Sequence, residues 1–412
     1  MKNTTILVLL SLGLASAAFA QQPAVPLTLQ RVVDMYIQNN LELQAARYRL
    51  ERTGADQIAA RLRPNPGLTV TAENLSVGGP TPFGRLYEVA TTYSDTIEIG
   101  GKRALRQRVA EQTFSVAEAQ FEDTMRRGLA EVKRLYFDAL LARYIVEMVS
   151  ENRATFDELF RVNETRFREG AIPEAELIKV RLERVRFDSA VRQAELNFRQ
   201  ATIRLLQKLG QSDYQTPVSG GLEFSIVNPD RDSLRQAALS GRPDVQAASR
   251  EVAAAAERLA LEHARAAPDL NSFVGYKRVG NDNTVIAGVT VPLRIRDRNQ
   301  AGIARAEADV KTAQTNLQLQ RSRALAEVET AYEGFQAARD QVRTFQDGLL
   351  MQVDESRSIA LAAYEEGGTD LLPLLEAQRT RTEVRQQYSR TLFDYRASIV
   401  DLELAAGKEI QP

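Results

Sequence analysis

The sequence predicts an α+β fold in which a unit of one helix, two strands and two long helices occurs twice. The first observation is an internal repeat: residues 43–46 match residues 245–248, and residues 167–170 match residues 364–367, each about 200 positions later. The second observation is a pair of long helical stretches without Gly or Pro. The third is a set of four short segments with strand periodicity. Together these observations predict a mostly helical chain with four strands.

The chain begins with the pattern of a secretory signal peptide. Lys2 precedes an apolar run from Ile6 to Leu14, and residues 18–20 form a small-x-small cleavage site. An N-terminal membrane anchor is the alternative, which is disfavoured because the run is well short of the ~20 residues that a spanning helix needs. The predicted organisation is a signal peptide at 1–20, a first structural repeat at 21–210, a linker at 211–232 and a second structural repeat at 233–412.

The composition excludes several classes of function. The chain has 0 Cys, which excludes a disulfide framework and a lipoprotein anchor. Its 1 His, His263, cannot build a catalytic triad or a multi-His metal site. The 53 basic and 54 acidic residues give a net charge of -1, so nothing indicates nucleic acid as a partner. We therefore expect no enzyme activity, no cofactor and no dedicated metal site.

The elements of the first repeat follow in order. Residues 27–61 are predicted to form a helix, which two prolines end. Strands are predicted at 67–77 and 85–99, joined by a Gly- and Pro-rich loop. In the second strand a period of two places one set of side chains on a single face: Tyr87, Val89, Thr91 and Tyr93. Two long helices complete the unit, and the second of them spans residues 174–209.

The second repeat has the same order. Strands are predicted at 269–279 and 283–294, joined by a short Gly-Asn-Asp turn, and a long helix is predicted at 374–406. The helices at 174–209 and 374–406 would each be roughly 50 Å long, and their apolar residues recur at the three-four spacing of coiled-coil seams. From periodicity alone, an ordinary elongated helical bundle is the alternative.

Strand length connects this pattern to a membrane. Four strands of about ten residues match the length that crosses a bilayer in a tilted barrel, but the smallest membrane barrels have eight strands. An open sheet in lipid would leave backbone groups unpaired, so several identical chains would have to share one barrel. Two chains would give a barrel filled by side chains, whereas three would give twelve strands around an open lumen. A conducting form would therefore be a homotrimer.

The order of elements resembles that of the TolC-like outer-membrane efflux family over essentially the whole mature chain. The most specific features are the two helical-hairpin turns at 167–177 and 364–379. Residues 97–103, Ile-Glu-Ile-Gly-Gly-Lys-Arg, are similar to the CzcC-type subgroup, which serves heavy-metal and cation efflux pumps. The resemblance implies a trimeric outer-membrane β-barrel of twelve strands, four from each chain, continued by a long periplasmic α-helical barrel of coiled-coil hairpins.

The resemblance also implies a location and partners. Such a channel lies in the outer membrane of a Gram-negative bacterium, contacts outer-membrane lipid and extends into the periplasm. A periplasmic adaptor (membrane fusion protein) joins it to an inner-membrane transporter of the resistance-nodulation-division (RND) class, which supplies the energy. The implied function is the exit duct of a tripartite efflux pump, with heavy-metal cations as the cargo.

Two groups of candidate residues lie near the hairpin turns. In the family the tips contact the adaptor, which points to Gly170, Ala171, Gly367 and Gly368. Aligning the tips places Glu176 and Glu376 near the constriction of the tunnel, where three copies of each would form rings that attract cations. Stabilisation of a carboxylate by the helix macrodipole is the alternative for both positions.

A latch at the constriction is also implied. Arg181 and Arg379 would pair with these two carboxylates across neighbouring helices and hold the end shut, although a solvated surface ion pair is the alternative. The chain departs from the family at Pro373, where a second acidic residue is often found. The gate network of this chain is therefore expected to differ.

A third group marks the predicted junction between barrel and tunnel. Gly100 and Gly101 permit a bend, and the cations that follow them suit the boundary between membrane and water. Prolines lie at equivalent junctions and would kink the wall: Pro66, Pro268 and Pro292.

Two rival functions stay open at this level. A soluble periplasmic coiled-coil adaptor would share the helical seams, but adaptors usually carry one helical hairpin and more β structure. The same channel fold would also serve drug efflux or type I protein secretion, and only residues 100–103 weigh against that cargo.

Overall fold

The computed structural model describes residues 26–75, 78–214 and 216–410, most of which are helical. The predicted signal peptide at 1–20 lies outside the described residues. The first half of the chain contains α1 (Leu29–Asn39), α2 (Leu41–Arg61), β1 (Gly67–Glu73), a short α3 (Phe83–Leu86), β2 (Glu88–Ile97), α4 (Lys102–Arg168) and α5 (Glu174–Lys208).

The second half contains the corresponding elements in the same order, except that α3 has no counterpart and two helices, α8 and α9, correspond to α4. They are α6 (Arg231–Gly241), α7 (Pro243–Arg265), β3 (Leu270–Val279), β4 (Asp282–Thr290), α8 (Gln300–Thr344), α9 (Leu350–Glu365) and α10 (Leu371–Ala406). The repeated order of elements is therefore present in three dimensions. The division into a first repeat at 21–210, a linker at 211–232 and a second repeat at 233–412 stays a prediction.

The four strands form one antiparallel sheet in the order β1-β2-β3-β4. The predicted α+β class with four strands per chain is confirmed, although β1 and β4 are shorter than predicted. Each strand pairs only with its neighbours along the chain. One edge of β1 and one edge of β4 therefore have no partner strand among the described residues.

The two faces of the sheet differ in polarity. The register aligns Leu68, Tyr93 and Val274 in one row across the sheet, and Val70, Thr91, Tyr276 and Val285 in the next row on the same face. Leu68 is 71% exposed and Val285 is 77% exposed in the single chain. The opposite face is more polar, although it also carries Phe273 and Ile286, and its hydroxyl and amide groups include Thr69, Thr92, Ser94, Asn271 and Thr284. The first face fits a hydrocarbon environment, and the second fits water.

The long helices of the two repeats differ. Helix α4 runs unbroken for 67 residues, so it is about 100 Å long. Its counterpart in the second repeat is interrupted between Thr344 and Leu350, where Asp347 has a ψ of 25° and Gly348 a φ of 122°. These angles lie outside the helical range and produce a kink. This kink was not predicted from the sequence.

Each repeat is closed by an equivalent hydrogen bond. Asn40 separates α1 from α2 and donates from Nδ2 to the carbonyl of Lys208, at the end of α5, over 2.8 Å. Arg242 separates α6 from α7 and donates from Nη1 to the carbonyl of Ala405, at the end of α10, over 3.0 Å. Both bonds satisfy a carbonyl in the last turn of a helix, which has no partner within the helix. The expected single helix at 27–61 is thus two helices.

The segment between the repeats packs against the helices. Val218, Leu222 and Val227 are buried in the main hydrophobic core. Leu27 and Val218 form a parallel β-bridge, and the Leu27 N–H donates to the carbonyl of Pro217 over 2.9 Å. Residues 216–230 therefore form an ordered segment that contacts both halves of the chain, since the hydroxyl of Tyr136 donates to the carbonyl of Ser219 and that of Tyr395 to the carbonyl of Ser225.

A buried arginine lies at the centre of this region. The Arg242 side chain is 2% exposed, and its Nη2 atom lies 2.7 Å from Oδ2 of Asp244. Its Nη1 atom lies 2.7 Å from Oε2 of Glu327, on α8. Burial by itself raises the pKa of Asp244, but the hydrogen bonds from Arg242 outweigh it and hold that pKa below its ordinary value. The charged pair thus joins the start of α7 to α8 and α10.

We expect Asp244→Asn to destabilise the protein by about 3 kcal/mol at neutral pH, because the guanidinium of Arg242 loses a buried partner. Since the pKa of Asp244 is lowered in the folded state, its contribution is fully present above the ordinary carboxyl pKa of about 4. The contribution is lost as the pH falls through the lowered value. Unfolding of the purified protein, followed by circular dichroism at several pH values, measures the difference.

Asp232→Asn is the matched control, because the Asp232 side chain is 89% exposed and lies 3.6 Å from Arg235. We expect it to change stability by less than about 0.5 kcal/mol. Equal losses in the two variants, or a loss in Asp244→Asn that does not shrink at low pH, would contradict the prediction.

Candidate functional site

The two helical hairpins end in turns of the same geometry. Gly170 and Gly367 both have a φ of 75°, a left-handed angle that favours glycine. At the first tip the Ala171 N–H donates to the carbonyl of Arg166 over 2.8 Å, and at the second the Gly368 N–H donates to the carbonyl of Ala363 over 2.8 Å. The four predicted contact residues are all exposed: Gly170, Ala171, Gly367 and Gly368. Both turns therefore offer free surface at one end of the molecule.

A small hydrophobic cluster joins the two hairpins just behind the tips. Phe156 of α4 and Val180 of α5 pack with residues of the second hairpin: Tyr364, Leu371 and Leu374. The guanidinium of Arg166 lies over the ring of Tyr364, 5.2 Å from its centroid. The tips therefore form one four-helix unit within a single chain.

Buried polar groups link the hairpins above this cluster. The Tyr364 hydroxyl donates to Oδ1 of Asn163 over 2.5 Å, and Asn163 is 0% exposed. Further along, Gln378 Nε2 donates to Oδ1 of Asn152 over 3.0 Å, and Asn152 Nδ2 donates to the Thr382 hydroxyl over 3.1 Å. These bonds fix α4 against α9 and α10, because a slip along the helices would leave buried polar groups unpaired.

These links were not predicted from the sequence, although a signal for them was present. Asn152, Phe156 and Asn163 lie at spacings of four and seven residues, which places all three on one face of α4. A polar residue in an otherwise apolar seam commonly specifies the register of packed helices. Two asparagines on the stripe of Phe156 therefore indicated a polar contact with another helix.

The predicted constriction residues are close to the tips but do not pair with one another in the chain. Glu176 is half-buried in the first turn of α5, whereas Glu376 and Arg181 are exposed. Arg379 lies 3.7 Å from Oε1 of Glu183, on the neighbouring α5. Within the described residues, Glu176, Glu376 and Arg181 make no ion pair. Their role at a constriction stays a prediction.

An ion-pair clamp holds the two helices of the second hairpin together between the kink and the tip. Oδ1 of Asp354, on α9, lies 2.6 Å from Nε of Arg381, and its Oδ2 lies 2.7 Å from Nη2 of Arg385; both arginines are on α10. Burial raises the pKa of Asp354, but the hydrogen bonds from the two arginines outweigh burial and lower it. The distal part of the second hairpin is thus tied together beyond Gly348.

The opposite end of the helices meets the sheet at the predicted junction. Gly100 and Gly101 have φ of 77° and 70° and connect β2 to α4. The three prolines also lie between a strand and a helix: Pro66 before β1, Pro268 before β3 and Pro292 after β4. Lys102, which is buried, lies 2.7 Å from Oδ1 of Asp269, and so connects α4 to the start of β3.

None of the helices in the described part of the chain is long and apolar enough to cross a membrane. Among the same residues, no group of three or more His, Cys, Asp or Glu side chains is arranged to hold a metal ion.

A four-stranded sheet with one apolar face, joined to two long helical hairpins with exposed tips, defines a channel-forming protein of the bacterial outer membrane. The chain matches the protein family described as outer membrane efflux protein over residues 32–211 and 234–408, and it belongs to that family. The expected family and outer-membrane location are confirmed, and the protein is a transport channel and not an enzyme.

Known relatives include metal-resistance proteins. The chain is 26% identical over 372 residues to the cobalt-zinc-cadmium resistance protein CzcC of Cupriavidus metallidurans, which covers 90% of this chain and 87% of the relative. It is 29% identical over 313 residues to the nickel and cobalt resistance protein CnrC of the same organism, which covers 74% of this chain and 72% of the relative.

Solved structures share the fold. CusC superimposes with a TM-score of 0.76 at 19% identity, covering 94% of this chain and 93% of CusC. The Campylobacter jejuni outer membrane channel CmeC gives a TM-score of 0.77 at 19% identity, covering 93% of this chain and 86% of CmeC.

We expect Tyr364→Phe to loosen the tips, because the buried Oδ1 of Asn163 loses its donor at a cost of about 1–3 kcal/mol. Single-channel recording in planar bilayers should show more frequent excursions to high conductance. Tyr48→Phe is the control, since Tyr48 is 65% exposed on α2, far from the tips. If Tyr364→Phe conducts like the wild type, or like Tyr48→Phe, the link does not restrain the tips.

Proposed function

We infer that this protein is the exit duct of a tripartite efflux pump, and that it works as a homotrimer. The observation that carries the proposal is the open sheet, which has an exposed apolar face and two edges without partner strands. In a bilayer such edges cost several kcal/mol for each unpaired backbone group. Pairing β4 of one chain with β1 of the next removes every edge once the ring closes.

A trimer is the oligomer that would form an open duct. Twelve strands enclose an open lumen, whereas eight leave an interior that side chains fill. The polar face of the sheet would then line the lumen, and the apolar face would meet lipid. The helical hairpins of the three chains would continue the wall into the periplasm, with the tips at the far end.

The tips are the proposed contact with a periplasmic adaptor, and the adaptor would join the duct to an inner-membrane transporter of the RND class. The exposed turns at Gly170 and Gly367 support this role, because they present two similar surfaces at the same end of each chain. The partner in the inner membrane would supply the energy for transport.

Heavy-metal cations are the proposed cargo. Two relatives are named for resistance to cobalt, zinc and cadmium and to nickel and cobalt, and each covers most of this chain. Growth of a strain that lacks this gene tests the cargo directly. We expect it to stop growing at lower concentrations of Co²⁺, Zn²⁺, Cd²⁺ or Ni²⁺ than the parent strain.

Restoring the wild-type gene should restore metal resistance in the deletion strain. Unchanged resistance to all four metals, together with a new sensitivity to organic antibiotics, would reject the metal cargo and favour drug efflux with the same channel.

The predicted acidic rings are tested by Glu176→Gln combined with Glu376→Gln. We expect the purified double variant to lose part of its preference for cations over anions, because three copies of each carboxylate would no longer face the constriction. The permeability ratio of K⁺ to Cl⁻, from reversal potentials in a salt gradient, measures this preference.

The matched control is Glu195→Gln combined with Glu355→Gln. Both control residues are exposed, make no ion pair within the described residues and lie farther from the tips. An unchanged permeability ratio in the first variant, or an equal change in the control, would show that the two glutamates do not line the constriction.

A further inference from the structure

The four passages between sheet and helix all lie at the helix-side end of the sheet. Three register pairs mark where the strands end there: Gly67 with Ser94, Ile97 with Leu270, and Asn271 with Thr290. The strand ends thus lie within about three residues of one another along the strand direction, or roughly 10 Å. We call the four connecting segments the boundary segments: residues 61–66, 98–103, 264–269 and 291–298.

The boundary segments contain more arginine than their acidic residues can neutralise. Glu98 is engaged by Arg106, with 3.0 Å between Oε2 and Nη2, and Asp269 is engaged by Lys102. Asp297 accepts a hydrogen bond from the Asn299 N–H over 2.8 Å. Six other guanidinium groups have no carboxylate partner among the described residues, and we call them the arginine belt: Arg61, Arg63, Arg103, Arg294, Arg296 and Arg298.

Two hydrogen bonds hold parts of the belt beside the ends of neighbouring helices. Arg103 Nε donates to the carbonyl of Arg61 over 2.9 Å, which places the start of α4 beside the end of α2. Arg294 Nη1 donates to the carbonyl of Ala266 over 3.0 Å, which places the segment after β4 beside the end of α7. Five of the six arginines are exposed, and the sixth, Arg103, is partly exposed.

Large apolar side chains alternate with these arginines. Leu62 lies between Arg61 and Arg63 and is 62% exposed. In the segment after β4, Leu293 precedes Arg294 and is 78% exposed, and Ile295 lies between Arg294 and Arg296 and is 71% exposed. An extended surface of this kind places aliphatic groups in hydrocarbon, while long arginine stems carry the charge to the phosphate level.

The boundary segments differ in composition from the usual membrane boundary. Membrane barrels commonly carry girdles of Trp and Tyr at both interfaces. The boundary segments contain no Trp, Tyr or Phe; Tyr87 and Tyr276 lie towards the opposite end of the sheet, and Tyr93 lies within β2, opposite Leu68. The boundary segments themselves therefore offer arginine and aliphatic side chains instead of aromatic rings.

We propose that the arginine belt binds anionic phospholipid headgroups in the leaflet that faces the periplasm. The proposal rests on the proposed function, because the apolar face of the sheet must lie in a bilayer for the belt to reach its surface. The planar fork of arginine matches the oxygens of a phosphate, and the excess positive charge attracts lipids with a net negative charge. A duct held in this way has a fixed depth in the membrane.

The test uses the full mature protein, purified in detergent as the oligomer. Calorimetric titration compares a short-chain phosphatidylglycerol with the corresponding phosphatidylcholine. We expect the wild type to prefer phosphatidylglycerol and to lose the preference at high salt. Arg294→Gln, Arg296→Gln and Arg298→Gln together should reduce that preference at least about tenfold. Arg296→Gln alone should give a smaller loss and serves if the triple variant fails to assemble.

The matched control removes the same charge elsewhere, through Arg47→Gln, Arg49→Gln and Arg321→Gln. These three arginines are exposed and have no carboxylate partner among the described residues. The control should keep the wild-type preference. A lipid preference that survives loss of the belt, or is lost equally in the control, would overturn the proposal. So would full competition by inorganic phosphate, which would identify a general anion site.

One outcome separates this proposal from the proposed function. If the belt arginines face the lumen, the triple variant would change the K⁺ to Cl⁻ permeability ratio and leave lipid binding unchanged, which overturns the belt but preserves the duct. If the wild type forms no channels in planar bilayers, the proposed function fails instead.

Discussion

The unpaired edges of β1 and β4 are the constraint on which the rest of the molecule depends. A backbone edge cannot remain open in hydrocarbon, and four strands are too few to close on themselves, so the chain requires copies of itself. That requirement explains why the apolar face of the sheet stays exposed in a single chain. It also explains why all four strands connect to helices at the same end of the sheet, because each strand of a shared barrel must continue into the wall of a shared tunnel.

Each of the two repeats contributes helices to that wall, but the two sets of helices are not identical. Asn40 and Arg242 occupy equivalent breaks between short helices, and each bonds to the end of the last helix of its own repeat. The first uses a neutral amide, and the second uses a buried guanidinium with two carboxylate partners. The hairpins differ as well, since α4 is continuous while the second repeat bends at Gly348. The long helix of the first hairpin is therefore unbroken, whereas that of the second is kinked. The hydrogen bond between Tyr364 and Asn163 joins the two hairpins.

Much of this fold could be predicted because it depends on local periodicity. A period of two identified β2 and β4, the turns that join them to their partners placed β1 and β3, and long stretches without Gly or Pro identified α5 and α10 within a few residues. The breaks between helices were harder to predict. Asn40, for example, ends α1 and caps α2 without the usual Gly or Pro signal. The kink at Gly348 depends on how α8 and α9 pack, which a single glycine does not reveal. The Tyr364–Asn163 bond joins residues far apart in sequence, and only the packing of the two hairpins brings them together.

For the proposed metal cargo, the chemistry of the wall favours conduction without selection among metal ions. The polar face of the sheet offers hydroxyl and amide groups, and its charges are concentrated at the end away from the helices, where Glu73 is opposite Glu88 and Glu88 pairs with Lys277. Ions such as Zn²⁺ and Co²⁺ bind tightly to thiolate and imidazole, and the whole chain has 0 Cys and 1 His. Tight sites would retain the ion, whereas conduction requires binding weak enough for release. Under the proposed function, selection among metals would therefore occur before the ion enters the duct.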